Sequence, residues 1–115
     1  MTVCIYHNNR CSKSRATLEL LESRGEVCQV VNYLETPPSS AELVQLLDML
    51  GLTPRELMRK NEPEYTELGL DDPTLDDTTL VAAMASHPRL IERPIVVANG
   101  KAAIGRPPEA VLSIL

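Results

Sequence analysis

The chain has 115 residues, 43% of them hydrophobic, and a formal charge of −5 at pH 7. That length suits one domain, residues 1–115, with enough material to bury a core. The acidic balance argues against nucleic-acid binding, and no apolar run approaches the roughly 20 residues that cross a bilayer, so no membrane partner is expected.

The N-terminus lacks the charged and apolar regions of a secretory signal. Three cysteines, an odd number without metal-ligand spacing, make neither a disulfide framework nor a metal site. A reducing cytoplasm is the expected compartment.

In chain order, Val3, Cys4, Ile5 and Tyr6 form a short apolar run that predicts a buried strand. From Cys11, the residues Ala16, Leu18, Leu20 and Leu21 make an apolar helical stripe, with Lys13, Glu19, Glu22 and Arg24 toward water. Gly25 ends it. "VCQVV", Val27 to Val31, predicts a second buried strand, and strand–helix–strand in that order implies a parallel pair. "SSAELVQLLDMLG" then opens a helix with a capping box, Ser39 and Glu42. "TPRELMRK" repeats this grammar with Thr53 as cap, Pro54 in the first turn and Glu56 closing the box.

From Glu62 to Asp77 prolines and acids predict short helices and turns. "DDTTLVAAMASHP" is a further helix, halted near His87 by Pro88. "PIVVANGKAAIG" holds two apolar runs around Asn99-Gly100, a tight-hairpin signal, and "RPPEAVLSIL" starts a last helix. The order predicts an α/β fold: a four-stranded mixed sheet with flanking helices, and a helical insertion between the second helix and the final β-hairpin.

Cys11 carries the chemistry. A thiol at a helix start meets unpaired backbone N–H groups and the positive end of the helix dipole, and both favour the thiolate. Neighbouring cations add to this, bringing a cysteine from about 8.5 to roughly 3.5–7.5. Ser12 and Ser14 are candidate donors to the sulfur or to a bound anion. Cys4 and Cys28, inside apolar strands, read instead as small buried hydrophobes. Ser14 stands where a Cys-x-x-Cys motif needs its second thiol, and Arg15 comes too early for a Cys-x5-Arg phosphate loop. A single-thiol chemistry with an outside reductant remains.

"YHNNRCSKSRATLELL", "NYLETPP", "RELMRKNE" and "ERPIVVANGKAAIGRPPE" occur in an order that resembles the glutaredoxin-dependent arsenate reductase family of thioredoxin-like proteins. The resemblance spans essentially the whole chain and is nearest the short branch that ends soon after "GRPPE". It implies a thioredoxin-like fold with Cys11 as nucleophile and three oxyanion-binding arginines, Arg59, Arg93 and Arg106. It also implies His7 and Asn8 near the nucleophile and a cis peptide before Pro94, with Ser14 kept as a supporting residue on its own position. Guanidinium groups suit this task because they stay charged and fork onto tetrahedral oxyanions.

The implied reaction reduces arsenate to arsenite through a covalent Cys11–arsenate intermediate. Glutathione serves as co-substrate and glutaredoxin as partner, with no tightly bound cofactor. On the residues alone Arg59, beside Lys60, also reads as an ordinary solvated face, and His7 reads equally as a structural hydrogen-bonder. The family has proline where this chain has Asn9, which removes a fixed φ from the loop before Cys11. Two other readings stand beside the reductase. One is a thiol protein acting on another oxyanion or mixed disulfide. The other is a redox-responsive adaptor of transcription, which the missing second cysteine disfavours.

Overall fold

Strand periodicity sets the first element. In β1 (Thr2–His7) the alternate residues Val3, Ile5 and His7 are buried together, while Cys4 and Tyr6 between them are half-buried. The computed structural model describes residues 2–115. These form two compact units: the chain up to Thr36 together with Arg93–Leu115, and Pro37–Glu92.

The first unit holds a four-stranded sheet in the order β2-β1-β3-β4, where β2 is Val27–Asn32, β3 Ile95–Ala98 and β4 Lys101–Ile104. β1 and β2 run parallel, from Thr2 opposite Val27 to His7 opposite Asn32. β3 is antiparallel to both β1 and β4. Asn99 and Gly100 both have positive φ, 56° and 73°, the pair of left-handed residues that a two-residue hairpin turn demands. Helix α1 (Ser12–Ser23) packs with the C-terminal segment over a core of Val3, Ile5, Leu21, Val96, Val111 and Ile114. Truncating Leu21, which is fully buried, to alanine is expected to cost about 2–5 kcal/mol.

Three expectations are corrected here. β2 is an edge strand rather than a buried one, with Val27 70% and Val30 48% exposed. An apolar run cannot distinguish the middle of a sheet from its margin, because strand order is set by the crossover and not by the strand itself. Cys28 in this edge strand is half-buried, and so is Cys4 in the inner strand β1, whereas the apolar runs around them predict burial for both. The last helix is a 3₁₀ helix, Pro108–Ile114. Its buried residues Val111 and Ile114 are three apart, the spacing at which 3₁₀ side chains eclipse onto one face.

The second unit contains only helices and turns among its named elements: α2 (Ser40–Leu50), α3 (Pro54–Leu57), α4 (Pro63–Glu67), α5 (Asp77–Ser86) and a 3₁₀ turn, Pro88–Leu90. Both capping boxes form. Ser39 and Glu42 exchange side-chain and backbone bonds at 3.1 and 3.2 Å, and Thr53 and Glu56 do so at 2.9 and 3.3 Å. A third cap, Asp76, accepts the Thr79 N–H at 2.9 Å. The weakly patterned stretch after Glu62 is ordered by Arg55. Its guanidinium donates to the Tyr65 hydroxyl and to the Leu70 and Asp72 carbonyls at 2.7–2.9 Å. No helix among the described residues is long and apolar enough to cross a membrane.

Candidate active site

Cys11 is the N-cap of α1, in extended conformation at φ −95° and ψ 121°. Its sulfur makes no capping hydrogen bond, yet it faces the first-turn amides that the helix leaves without partners. The first turn contains no acid; it carries Lys13 instead, with Arg15 next in the helix. Positive side chains are unfavourable at the positive end of a helix dipole unless an anion accompanies them. The chain is therefore electrostatically arranged for a negative group at this place.

The Cys11 side chain is buried, at 8% exposure. Burial is the largest influence on its thiol and pushes it up. The Ser14 amide, a hydrogen bond from Arg93, the Lys13 amide and the Arg93 charge together outweigh it, and the thiol lies below its ordinary value. Arg106 joins from β4's far end, its Nη2 donating to Cys11 Sγ at 3.4 Å. The two guanidiniums thus converge on one sulfur from positions 82 and 95 residues along the chain. Cys28 illustrates the opposite case: burial, then Glu22 and Glu26, raise its thiol.

Local folding explains how the arginines arrive. Arg93 and Arg106 each precede a proline, and both peptide bonds, Arg93–Pro94 and Arg106–Pro107, are cis. The first matches expectation; the second is not marked by any pattern in the sequence. Arg106 Nε donates to the Arg93 carbonyl at 2.7 Å, and the Gly105 N–H donates to the Pro94 carbonyl at 2.9 Å. Gly105 is needed for this approach. A Cβ there would fall on Thr17 Oγ1 and stand 2.8 Å from Pro94 Cγ, with Thr17 and Pro94 both fully buried. Thr17 and Gly105 are thus parts of the site's frame that composition and spacing did not mark. The visible hint was a glycine squeezed between a strand end and "RPP".

His7 is buried at the end of β1, its Nδ1 2.6 Å from Ser14 Oγ and its Nε2 2.8 Å from Asn9 Oδ1. Ser14 Oγ also accepts the Asn8 N–H at 3.0 Å, so its hydroxyl serves the loop rather than the sulfur; the Ser14 amide is what acts on Cys11. Asn8 Oδ1 accepts the Arg10 N–H, the Asn8 carbonyl accepts the Cys11 N–H, and Arg15 Nη1 donates to the Asn9 carbonyl. The loop that lacks the family's proline is therefore held by a set of hydrogen bonds.

The sheet unit brings together Cys11, His7, Asn8, Ser14, Arg93, Pro94 and Arg106. Arg59 belongs to the helical unit, where its Nη1 donates to Glu92 at 2.9 Å and its Nε to Glu62 at 3.3 Å. Among the described residues, no group of three His, Cys, Asp or Glu is arranged to hold a metal ion.

Comparison with known proteins bears on the family and the fold. Residues 6–114 match the ArsC family. An arsenate reductase of Neisseria meningitidis is 55% identical over 112 residues, 96% of each chain. The Escherichia coli K12 protein YfgD, described as uncharacterized, is 58% identical over 114 residues, 98% of this chain and 96% of its own. The solved structure of an arsenate reductase from Vibrio cholerae superposes with a TM-score of 0.97 at 59% identity, covering 100% of this chain and 98% of that one. With its mixed sheet and flanking helices in the thioredoxin-like arrangement of these neighbours, the chain belongs to the ArsC family.

Proposed function

We propose that the protein is an arsenate reductase that draws its electrons from glutathione and glutaredoxin in a reducing cytoplasm. The observation that carries this reading is a thiolate-favouring cysteine at a helix N-terminus with Arg106 at 3.4 Å and Arg93 also bonded to it. A sulfur so placed is a nucleophile, and the guanidiniums around it are suited to a tetrahedral oxyanion.

In the proposed reaction the Cys11 thiolate attacks arsenic and a hydroxide leaves, taking a proton as water. The product is a sulfur–arsenic(V) ester. Charge gathering on the arsenate oxygens is met by Arg93 and Arg106, already oriented before substrate arrives. The glutathione thiol then supplies the second sulfur. Two electrons pass from the two sulfurs to arsenic, which leaves as arsenite, while Cys11 and glutathione end as a mixed disulfide. Glutaredoxin removes the glutathione and restores the Cys11 thiol. The third arginine implied by the resemblance, Arg59, is engaged by Glu62 and Glu92. An anion binding to it would compete with those carboxylates.

The test is turnover of arsenate with glutathione and glutaredoxin, comparing wild type with Cys11→Ser. The serine variant is expected to lose three or more orders of magnitude, about what removal of a nucleophile costs. Equal rates for the two proteins would overturn the assignment. Absent arsenate turnover in a wild type whose Cys11 still reacts with glutathione disulfide would redirect the reading to another oxyanion or a mixed disulfide.

A further inference from the structure

The hydrogen bonds around His7 assign its protons. Asn9 Oδ1 can only accept, so the Nε2 atom 2.8 Å away must be the nitrogen that carries a hydrogen. In the neutral ring Nδ1 then offers only a lone pair. The 2.6 Å contact between Nδ1 and Ser14 Oγ must in turn be bridged by the serine's own proton. The remaining bond at Ser14 Oγ is an incoming one, from the Asn8 N–H. The Ser14 hydroxyl is thus committed on both sides, and its side chain is fixed in a fully buried position. Its backbone N–H is left as the group through which Ser14 lowers the Cys11 thiol.

We infer that Asn9 is a positioning residue: by holding the proton on His7 Nε2 it sets the direction of the whole chain from Asn9 through His7 and Ser14 to the first turn of α1. Remove the acceptor and the imidazole is free to take the other tautomer, donating from Nδ1 to Ser14. The serine hydroxyl then loses its acceptor and turns, and the amide beside Cys11 loses its fixed aim. Asn9 occupies the position where the resemblance puts proline, which has no side-chain acceptor, so this arrangement depends on the residue found here. The side chain is well suited to the role, because Asn9 itself is exposed while the ring it holds is buried.

The part of this inference concerning thiol reactivity rests on Cys11 being the reacting thiolate; the tautomer does not. The experiment is therefore ¹⁵N NMR of the His7 ring in its neutral form, together with the iodoacetamide rate at Cys11, in wild type, Asn9→Leu and Ser14→Ala. Wild type is expected to carry the proton on Nε2. Ser14→Ala is expected to keep it there, since Asn9 remains. Asn9→Leu, similar in size but without an acceptor, is expected to populate the Nδ1–H form and to slow Cys11 alkylation about threefold at neutral pH.

A wild-type ring protonated on Nδ1 overturns the inference without any variant having to fold. An Asn9→Leu ring with unchanged tautomer overturns it as well, and a changed tautomer with an unchanged alkylation rate removes the positioning role. If wild-type Cys11 alkylates like a free thiol while His7 shows the Nε2 proton, the proposed function fails and the tautomer assignment stands.

Discussion

The N-terminus of α1 and the edge strand β2 each present a cysteine, and the two thiols are driven in opposite directions. Both feel burial, which raises a thiol. At Cys11 helix amides and Arg93 oppose it and win; at Cys28 the neighbours are Glu22 and Glu26, which push the same way as burial. A cysteine's reactivity is thus a property of which partial charges the fold aims at it, and exposure alone would rank the two wrongly: the buried Cys11 is the more acidic, the half-buried Cys28 the less.

The sharpest way to break this contrast is to remove the cation that touches the sulfur. Arg106→Ala is expected to cut arsenate turnover about a hundredfold, the scale for losing one oriented donor at a site of developing charge. Arg106→Lys should recover only part of it, because an ammonium keeps the charge but not the fork. An unchanged rate in both would remove Arg106 from the site.

Gly105→Ala attacks the same contact through the frame. The new methyl collides with Thr17 and Pro94, and overpacking of this kind costs about 1–3 kcal/mol. A thermal melt is expected to show Tm lowered by roughly 5–15 °C. A melt matching wild type would mean that the turn moves away freely.

Labelling reads the contrast directly. At about pH 7 iodoacetamide should modify Cys11 at least about ten times faster than Cys28, as followed by peptide mass spectrometry, because only the lowered thiol has an appreciable thiolate fraction. Equal rates would erase the distinction between the two regions.

The smallest effect is on stability against pH, where the signs differ. The Cys11 thiol is depressed in the folded chain, so its stabilisation is present above the unfolded thiol value, about 8.5, and is lost as pH falls through the folded value. The Cys28 thiol is raised, so its contribution is present below that value and is lost as pH rises through the folded one. Urea titrations should show the cost of Cys11→Ala growing from neutral to alkaline pH, and the cost of Cys28→Ala shrinking. Parallel trends would contradict the opposite shifts.

Much of this was legible in the residues. The helix start at Cys11, the hairpin at Asn99-Gly100 and the order of elements all rest on short-range signals, and the structure has them where the sequence put them. The position of β2 at the sheet's edge was not legible, because "VCQVV" is apolar in either setting. Nor was it legible that Ser14 would act on the sulfur through its backbone N–H while its hydroxyl is engaged elsewhere. The partners of that hydroxyl, His7 and the Asn8 amide, lie seven and six residues back and meet it only once β1 and α1 have folded against each other.

What the sequence by itself determined were features closed by neighbours in the chain. Among these are the Ser39–Glu42 and Thr53–Glu56 caps, the left-handed turn at Asn99-Gly100, and a cysteine at a helix N-cap with cations beside it. Each is stabilised by bonds spanning a few residues, so local chemistry suffices. Only the tertiary structure decided that Arg106 meets Cys11 across 95 residues, that Gly105 lies against Thr17, and that His7 holds Ser14. Those contacts depend on sheet order and side-chain packing between distant segments, which no local pattern encodes.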